Sequence, residues 1–170
     1  MSLRDRLQWI PPKESPPHFL QVAPLPSRHR LPKALIRKIG CVSAGNPEHF
    51  NDRNRSLASE SLSQFRLPAL IQAFRVQPDA RLSDNLPFAL HAPEIELTDF
   101  SDTARWLETL DLVLTVHTSG AYLADGLGIA VWIVLPCAPD WRWGLRLHGN
   151  PWYPKTHLHR CNSNSGGTSR

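Results

Sequence analysis

His117-Thr118-Ser119-Gly120 ends an apolar run, Asp111 to Val116, and opens a stretch of helix-forming residues. A helix N-terminus carries N–H groups with no intrahelical partner and a partial positive charge. Small residues at such a junction let a phosphate approach, and the hydroxyls of Thr118 and Ser119 are at hand, so the four residues fit an anion cradle. A plainer reading fits equally well: Thr118 or Ser119 caps the helix. Cys41, Cys137 and Cys161 are odd in number, far apart and without a CxxC pair, so neither a disulfide framework nor a metal site is expected. Cys41 lies in a strand-like run and reads as a core residue.

The elements that would position this junction follow an α/β rhythm. Ile39 to Ala44 reads as a strand leading into the turn-rich GNPEHFNDRNRS, residues 58–66 as a short helix, and Leu70 to Val76 as a strand. RLSDNLPFALHAPE is read as loop, and Ile95 to Thr98 as a short strand. Ser101-Asp102-Thr103 offer caps for a helix with Ala104, Leu107 and Leu110 on one face. Asp111 to Val116 and Ala130 to Leu135 are apolar throughout, as strands covered on both faces are. A helix from about Ser119 to Leu127 stops at Gly128, a left-handed terminator. Alternating strands and helices predict right-handed crossovers and a Rossmann-like parallel sheet, with the ligand crevice beyond the C-terminal strand ends. Three segments fall on that edge: the loop after Ala44, the junction after Val116 and the loop after Leu135.

Composition places the chain among soluble globular proteins: 170 residues, 41% hydrophobic and 20% charged, are enough for one domain with a core. No apolar h-region opens the chain, and Leu127 to Ala138 is too short to span a bilayer, so a cytoplasmic protein without a membrane span is expected. The net charge of +4 is unevenly placed. Residues 1–38 hold eight Lys/Arg against Asp5 and Glu14, a balance of +6, which leaves −2 for residues 39–170. Seven of the sixteen prolines lie in the same arm, which therefore reads as an extended basic linker. No aromatic pattern accompanies its charge, which argues against nucleic-acid binding. Residues 159–170, ending in the Ser/Gly/Asn-rich CNSNSGGTSR, read as a disordered tail, leaving 39–158 as the folded unit.

Within that unit IGCVSAGNPEHFNDRNRS, DFSDTARWLETLDLVLTV and VWIVLPCAPDWRWGLRLHGNPWYP occur in an order and spacing that resembles a known family. It is the C-terminal glycosyltransferase-like domain of bacterial tetratricopeptide-repeat proteins, related to glycosyltransferase family 9 and the heptosyltransferases. The resemblance runs from about Ile39 to Pro154 and implies the C-terminal half of a GT-B glycosyltransferase. That half holds the diphosphate of a nucleotide-sugar donor for hexosyl or heptosyl transfer, with neither metal nor other cofactor. It assigns Gly45, Asn46, Asn51, Asp52, Arg53, Arg55 and Ser56 to the loop facing the cleft. Thr118, Ser119 and Gly120 become the phosphate-facing junction, and Asp140, Trp141 and Arg142 a donor-facing loop. Arg53 or Arg55 would neutralise the diphosphate, although either is equally suited to pairing with Asp52 or Glu48. Trp141, Trp143 and Trp152 read first as packing residues, and His49 as a hydrogen-bonding loop residue rather than a base.

The chain departs from the family in three places. The family carries Asp-Thr at the junction and His-Leu-Ala-Gly in the helix, where this chain has His117-Thr118 and Tyr122-Leu123-Ala124-Asp125. An Asp125 facing the crevice would repel phosphate. His117-Thr118-Ser119-Gly120 is similar, on the other hand, to the His-Thr-Thr-Gly turn of O-linked N-acetylglucosamine transferases. The half that supplies the catalytic carboxylate in heptosyltransferase relatives is not matched, so the catalytic residues stay unassigned. Two functions remain: a donor-binding domain completed by a tetratricopeptide-repeat segment or N-terminal half in a neighbouring chain, or a non-catalytic binding module, a degenerate fragment of such a protein.

Overall fold

The structure, a computed structural model, describes residues 19–24, 37–45, 48, 56, 66–77, 86, 88–136, 139, 143, 153 and 156–160. They form strands β1 (Arg37–Val42), β2 (Ile71–Arg75) and β3 (Leu90–His91), helix α1 (Phe100–Leu107), β4 (Leu112–Val116), helix α2 (Ser119–Gly126), β5 (Ala130–Leu135) and β6 (Thr156–Arg160). The six strands make one sheet in the order β3-β2-β1-β4-β5-β6. Every neighbouring pair is parallel. The chain thus winds outward from β1 to β3, crosses back, and winds outward again from β4 to β6. This is the doubly wound Rossmann-like order, in which the winding direction reverses between β1 and β4.

The pleat explains the two cores. Val42, Phe74, Val113, Val131, Ile133 and Leu135 point to one face, where they bury Trp106 and Leu107 of α1 and Ala121 and Ala124 of α2. Both helices share this face, as right-handed crossovers from β3 to β4 and from β4 to β5 require. Cys41 and Ala73 point the other way, against Ile39, Leu67, Leu86, Phe88 and Leu90. Gly40 is tied to the first face by space: a Cβ there would lie 2.6 Å from both Leu110 Cδ1 and Val76 Cγ2. Asp111 fastens the strand starts, accepting from Lys38 N–H at 2.9 Å and from Arg37 Nη1 at 3.0 Å.

Several elements differ from the expectation. The cap of α1 is Asp99, whose carboxylate accepts from Asp102 N–H at 2.8 Å, and not a residue of 101–103. Asp102 reaches back to Thr98 N–H at 3.3 Å, so residues 95–98 lead into the helix instead of forming a strand. Ile95 and Leu97 pack on the main core without ladder partners of their own. Inside the expected loop 81–94, Leu90–His91 pair with Ala73–Phe74 as a two-residue edge strand. β6 is a further strand, and it carries the ordered sheet through His159 and Arg160 at the head of the expected tail. At the other end β1 begins at Arg37, inside the expected arm.

Part of the arm is docked. Leu20 N–H donates to the Gly126 carbonyl at 2.9 Å, satisfying a C-terminal carbonyl of α2. A Cβ on Gly126 would lie 2.7 Å from Leu20 Cδ1 and 3.1 Å from Phe19 Cζ, so a larger residue would push these side chains aside. The expected helix at 58–66 falls outside the described residues, apart from Arg66, which is not helical. Among the described residues no helix is long and apolar enough to cross a membrane.

Candidate functional site

β1 and β4 run side by side with Val42 opposite Thr115, so Ser43-Ala44-Gly45 and His117-Thr118-Ser119-Gly120 leave the sheet together at the point where its winding reverses. In open parallel sheets this is where ligands bind. Gly45 N–H donates to Ser56 Oγ at 3.3 Å, which holds the two ends of the intervening segment at this edge. Asn46, Asn51, Asp52, Arg53 and Arg55 lie outside the described residues, as do Asp140, Trp141 and Arg142. Of the expected site residues the structure therefore brings together Gly45, Ser56, Thr118, Ser119 and Gly120.

Thr118 occupies the N-cap position of α2 with extended backbone, φ −134° and ψ 171°, yet its side chain makes no capping hydrogen bond. The hydroxyl is engaged elsewhere. Thr115 Oγ1 donates to the Val116 carbonyl at 2.8 Å and lies 3.2 Å from Thr118 Oγ1. A hydroxyl has one proton, so in this pair Thr118 is the donor. Its proton is committed inside the turn. Ser119 is exposed at the first helical position. The Thr118 carbonyl accepts from Ala121 N–H at 3.2 Å, whereas no described group accepts from the N–H of Ser119 or Gly120.

Gly120 packs close to the turn and to β1. A Cβ on it would lie 3.5 Å from Thr118 Oγ1 and 3.8 Å from Val42 Cγ2, in ordinary contact and between the ends of β4 and β1. Glycine keeps that space open without being required by the backbone, since the positive φ in this stretch belongs to Gly128, at 78°. The first turn of α2 carries no acidic residue. Asp125 does not face the crevice: it is buried and accepts from Thr156 Oγ1 of β6 at 3.0 Å. Six residues along the helix place it roughly 9 Å from Ser119. The repulsion expected from Asp125 is therefore removed by its orientation.

His117 and Tyr122 touch each other, His117 Nε2 lying 2.6 Å from Tyr122 Oη. Around them is an aromatic cluster that the sequence did not reveal. Tyr122 stacks on Trp143 at 5.4 Å and 14°, His117 meets the Trp143 ring edge-on at 5.6 Å, and Tyr153 closes the group at 5.3 Å from Tyr122. Trp143 is 2% exposed. Its carbonyl accepts from Arg160 Nη2 at 2.9 Å, which pins it to the end of β6. The signal available was the WRW repeat, whose second tryptophan is read correctly as packing but without its location. Beneath the site, burial pushes the Cys41 thiol up to about 12, so the group is neutral and inert at ordinary pH. Among the described residues no group of three or more His, Cys, Asp or Glu is placed to hold a metal ion.

No protein-family model, no curated protein and no solved structure matches the chain.

Proposed function

We propose that the chain binds the diphosphate of a nucleotide-sugar donor at the β1/β4 edge, in the manner of the C-terminal half of a GT-B glycosyltransferase. The observation that carries this reading is the uncapped start of α2 at the reversal of the sheet. Two first-turn amides without described acceptors and the helix dipole lie at this junction, with no carboxylate in the first turn. Charge-assisted bonds to an anion are worth roughly 1.5–3 kcal/mol each, and the dipole adds about 0.3–1 kcal/mol. In a transfer reaction the same contacts would stabilise charge building on the departing diphosphate. Titration of nucleoside diphosphates into the wild type and Gly120→Ala, followed by calorimetry, tests the site.

One observation favours a module that binds without transferring. The imidazole nearest the junction, His117, is buried with Nε2 on the Tyr122 hydroxyl, so it is not poised to take a proton from an acceptor. Donor binding without measurable sugar transfer by the isolated chain is the expected result, because positioning two substrates needs a second half of the cleft.

A further inference from the structure

β6 sets two imidazoles on one side of the sheet. Its other residues turn towards the helices: Thr156 donates to Asp125 of α2, Leu158 packs on the main core, and Arg160 donates to the Trp143 carbonyl. Alternation along a strand then sends His157 and His159 to the opposite side, where both are exposed. β5 repeats the pattern, burying Val131, Ile133 and Leu135 with the helices and leaving Trp132 43% exposed. In the ladder Trp132 stands opposite His157, and Val134 opposite His159. Both imidazoles nevertheless lie against the same ring, His157 at 6.3 Å and His159 at 5.3 Å from the Trp132 centroid. His159 reaches it along the diagonal of the ladder, so the pair is gathered at one place. Neither imidazole has a hydrogen-bond or ion-pair partner among the described residues.

We propose that His157 and His159 chelate one divalent copper-class cation on the face of the sheet opposite the helices, each giving one ring nitrogen. A neutral imidazole offers a lone pair to such ions. Alternate residues of a strand stand about 6.6 Å apart, and an imidazole nitrogen meets its metal at roughly 2.0–2.1 Å, so two side chains on one strand face span a single ion. Imidazole ligands suit copper, nickel and zinc, and Cu²⁺ binds the most tightly of these. Two protein ligands leave the other coordination positions to water, which makes this an open surface site; no third His, Cys, Asp or Glu joins it among the described residues. β5 separates the pair from the β1/β4 edge, so the site stands independently of the diphosphate reading.

Copper(II) chloride is titrated calorimetrically into the full chain carrying Cys161→Ser, which removes the nearest thiol in the sequence, and into the same chain with His157→Gln or His159→Gln. Both histidines are exposed, so the variants should melt with the parent. Each should bind Cu²⁺ at least about tenfold more weakly, because the second bond of a chelate forms within one complex and either substitution removes it. Ni²⁺ and Zn²⁺ should bind more weakly than Cu²⁺, and Mg²⁺, which prefers oxygen ligands, should not compete. Cu²⁺ is paramagnetic, so a small fraction of an equivalent should broaden the Trp132 indole proton resonance, assigned by its absence from Trp132→Phe, ahead of the other indole signals. Affinity unchanged by either substitution, or lost with one and kept with the other, overturns the proposal, since a chelate needs both imidazoles. A Trp132 signal that stays sharp while other indoles broaden places the ion elsewhere and overturns it too, as does a parent chain that binds no Cu²⁺.

Discussion

Thr118 gives its hydroxyl proton to Thr115 and leaves the helix it precedes uncapped. A threonine at an N-cap ordinarily accepts from the first turn, so the turn here trades a local cap for a bond to the strand behind it. The amides of the first turn remain facing the crevice between β1 and β4.

Thr118→Val should therefore act on stability more than on binding. It removes one buried hydroxyl pair, at a cost of about 0.5–1.5 kcal/mol, and takes from the crevice a group whose proton was already committed. Chemical denaturation should show the loss, while diphosphate affinity stays within about twofold of the wild type. A variant with unchanged stability and abolished binding would mean that Thr118 contacts the ligand directly.

Asp125→Asn separates charge from shape. Asp125 is buried against Thr156 of β6, so the variant weakens a charge-assisted bond and should destabilise the fold by roughly 1–3 kcal/mol. Diphosphate binding should not tighten, because the carboxylate is turned away from the first turn. A tighter complex whose advantage fades with added salt would place the charge within reach of the ligand.

Gly126→Ala tests the docked part of the arm. The new methyl meets Leu20 and Phe19, both side chains on an exposed strap, so the strap rather than the helix should give way. Hydrogen exchange at Leu20 should accelerate markedly while the core amides of β4 and β5 keep their protection. Unchanged protection at Leu20 would show that the strap accommodates the methyl.

The Cys41 thiol should be silent in the folded protein. Burial raises its pKa from 9.0 to about 12, so folding favours the neutral form. That contribution is fully present below about pH 9 and is lost as pH rises from there towards 12. In a Cys137→Ser, Cys161→Ser background, a thiol reagent at pH 8 should label Cys41 only on unfolding. Rapid labelling of the native protein would contradict the buried placement.

Some of this architecture is written in the chain and some is not. β1, β4 and β5 are legible as short apolar runs, although β5 buries only Val131, Ile133 and Leu135 and leaves Ala130 and Trp132 exposed, and the end of α2 is legible in Gly128, whose φ of 78° suits glycine. β6 escapes because THLHR is an edge strand with polar residues alternating outward, and its apolar content is a single leucine. β3 is two residues long and exists through its pairing with β2. Asp99 outcompetes Ser101-Asp102-Thr103 as the cap because Asp102 is drawn back to Thr98, a choice made by side-chain geometry. At the site, the position of His117-Thr118-Ser119-Gly120 beyond a parallel strand could be reasoned from periodicity. The engagement of Thr118 with Thr115, the turning away of Asp125 and the gathering of Trp143 with Tyr122 depend on contacts between residues up to 31 apart in the chain, which no local pattern encodes.

The most direct test of the central claim is a calorimetric titration of uridine diphosphate into the wild type and Gly120→Ala at two salt concentrations. Half a cleft supplies anion contacts without enclosure, so the wild type should bind with Kd of roughly 0.1–1 mM, more weakly as salt rises. Gly120→Ala meets no clash and improves helix propensity by up to about 1 kcal/mol, so it should fold at least as stably. It should nonetheless bind about tenfold more weakly, at a cost of about 1.4 kcal/mol, if its methyl crowds a diphosphate at this turn. A stable Gly120→Ala that binds the diphosphate as well as the wild type, or a wild type that binds none at millimolar concentration, would contradict the account.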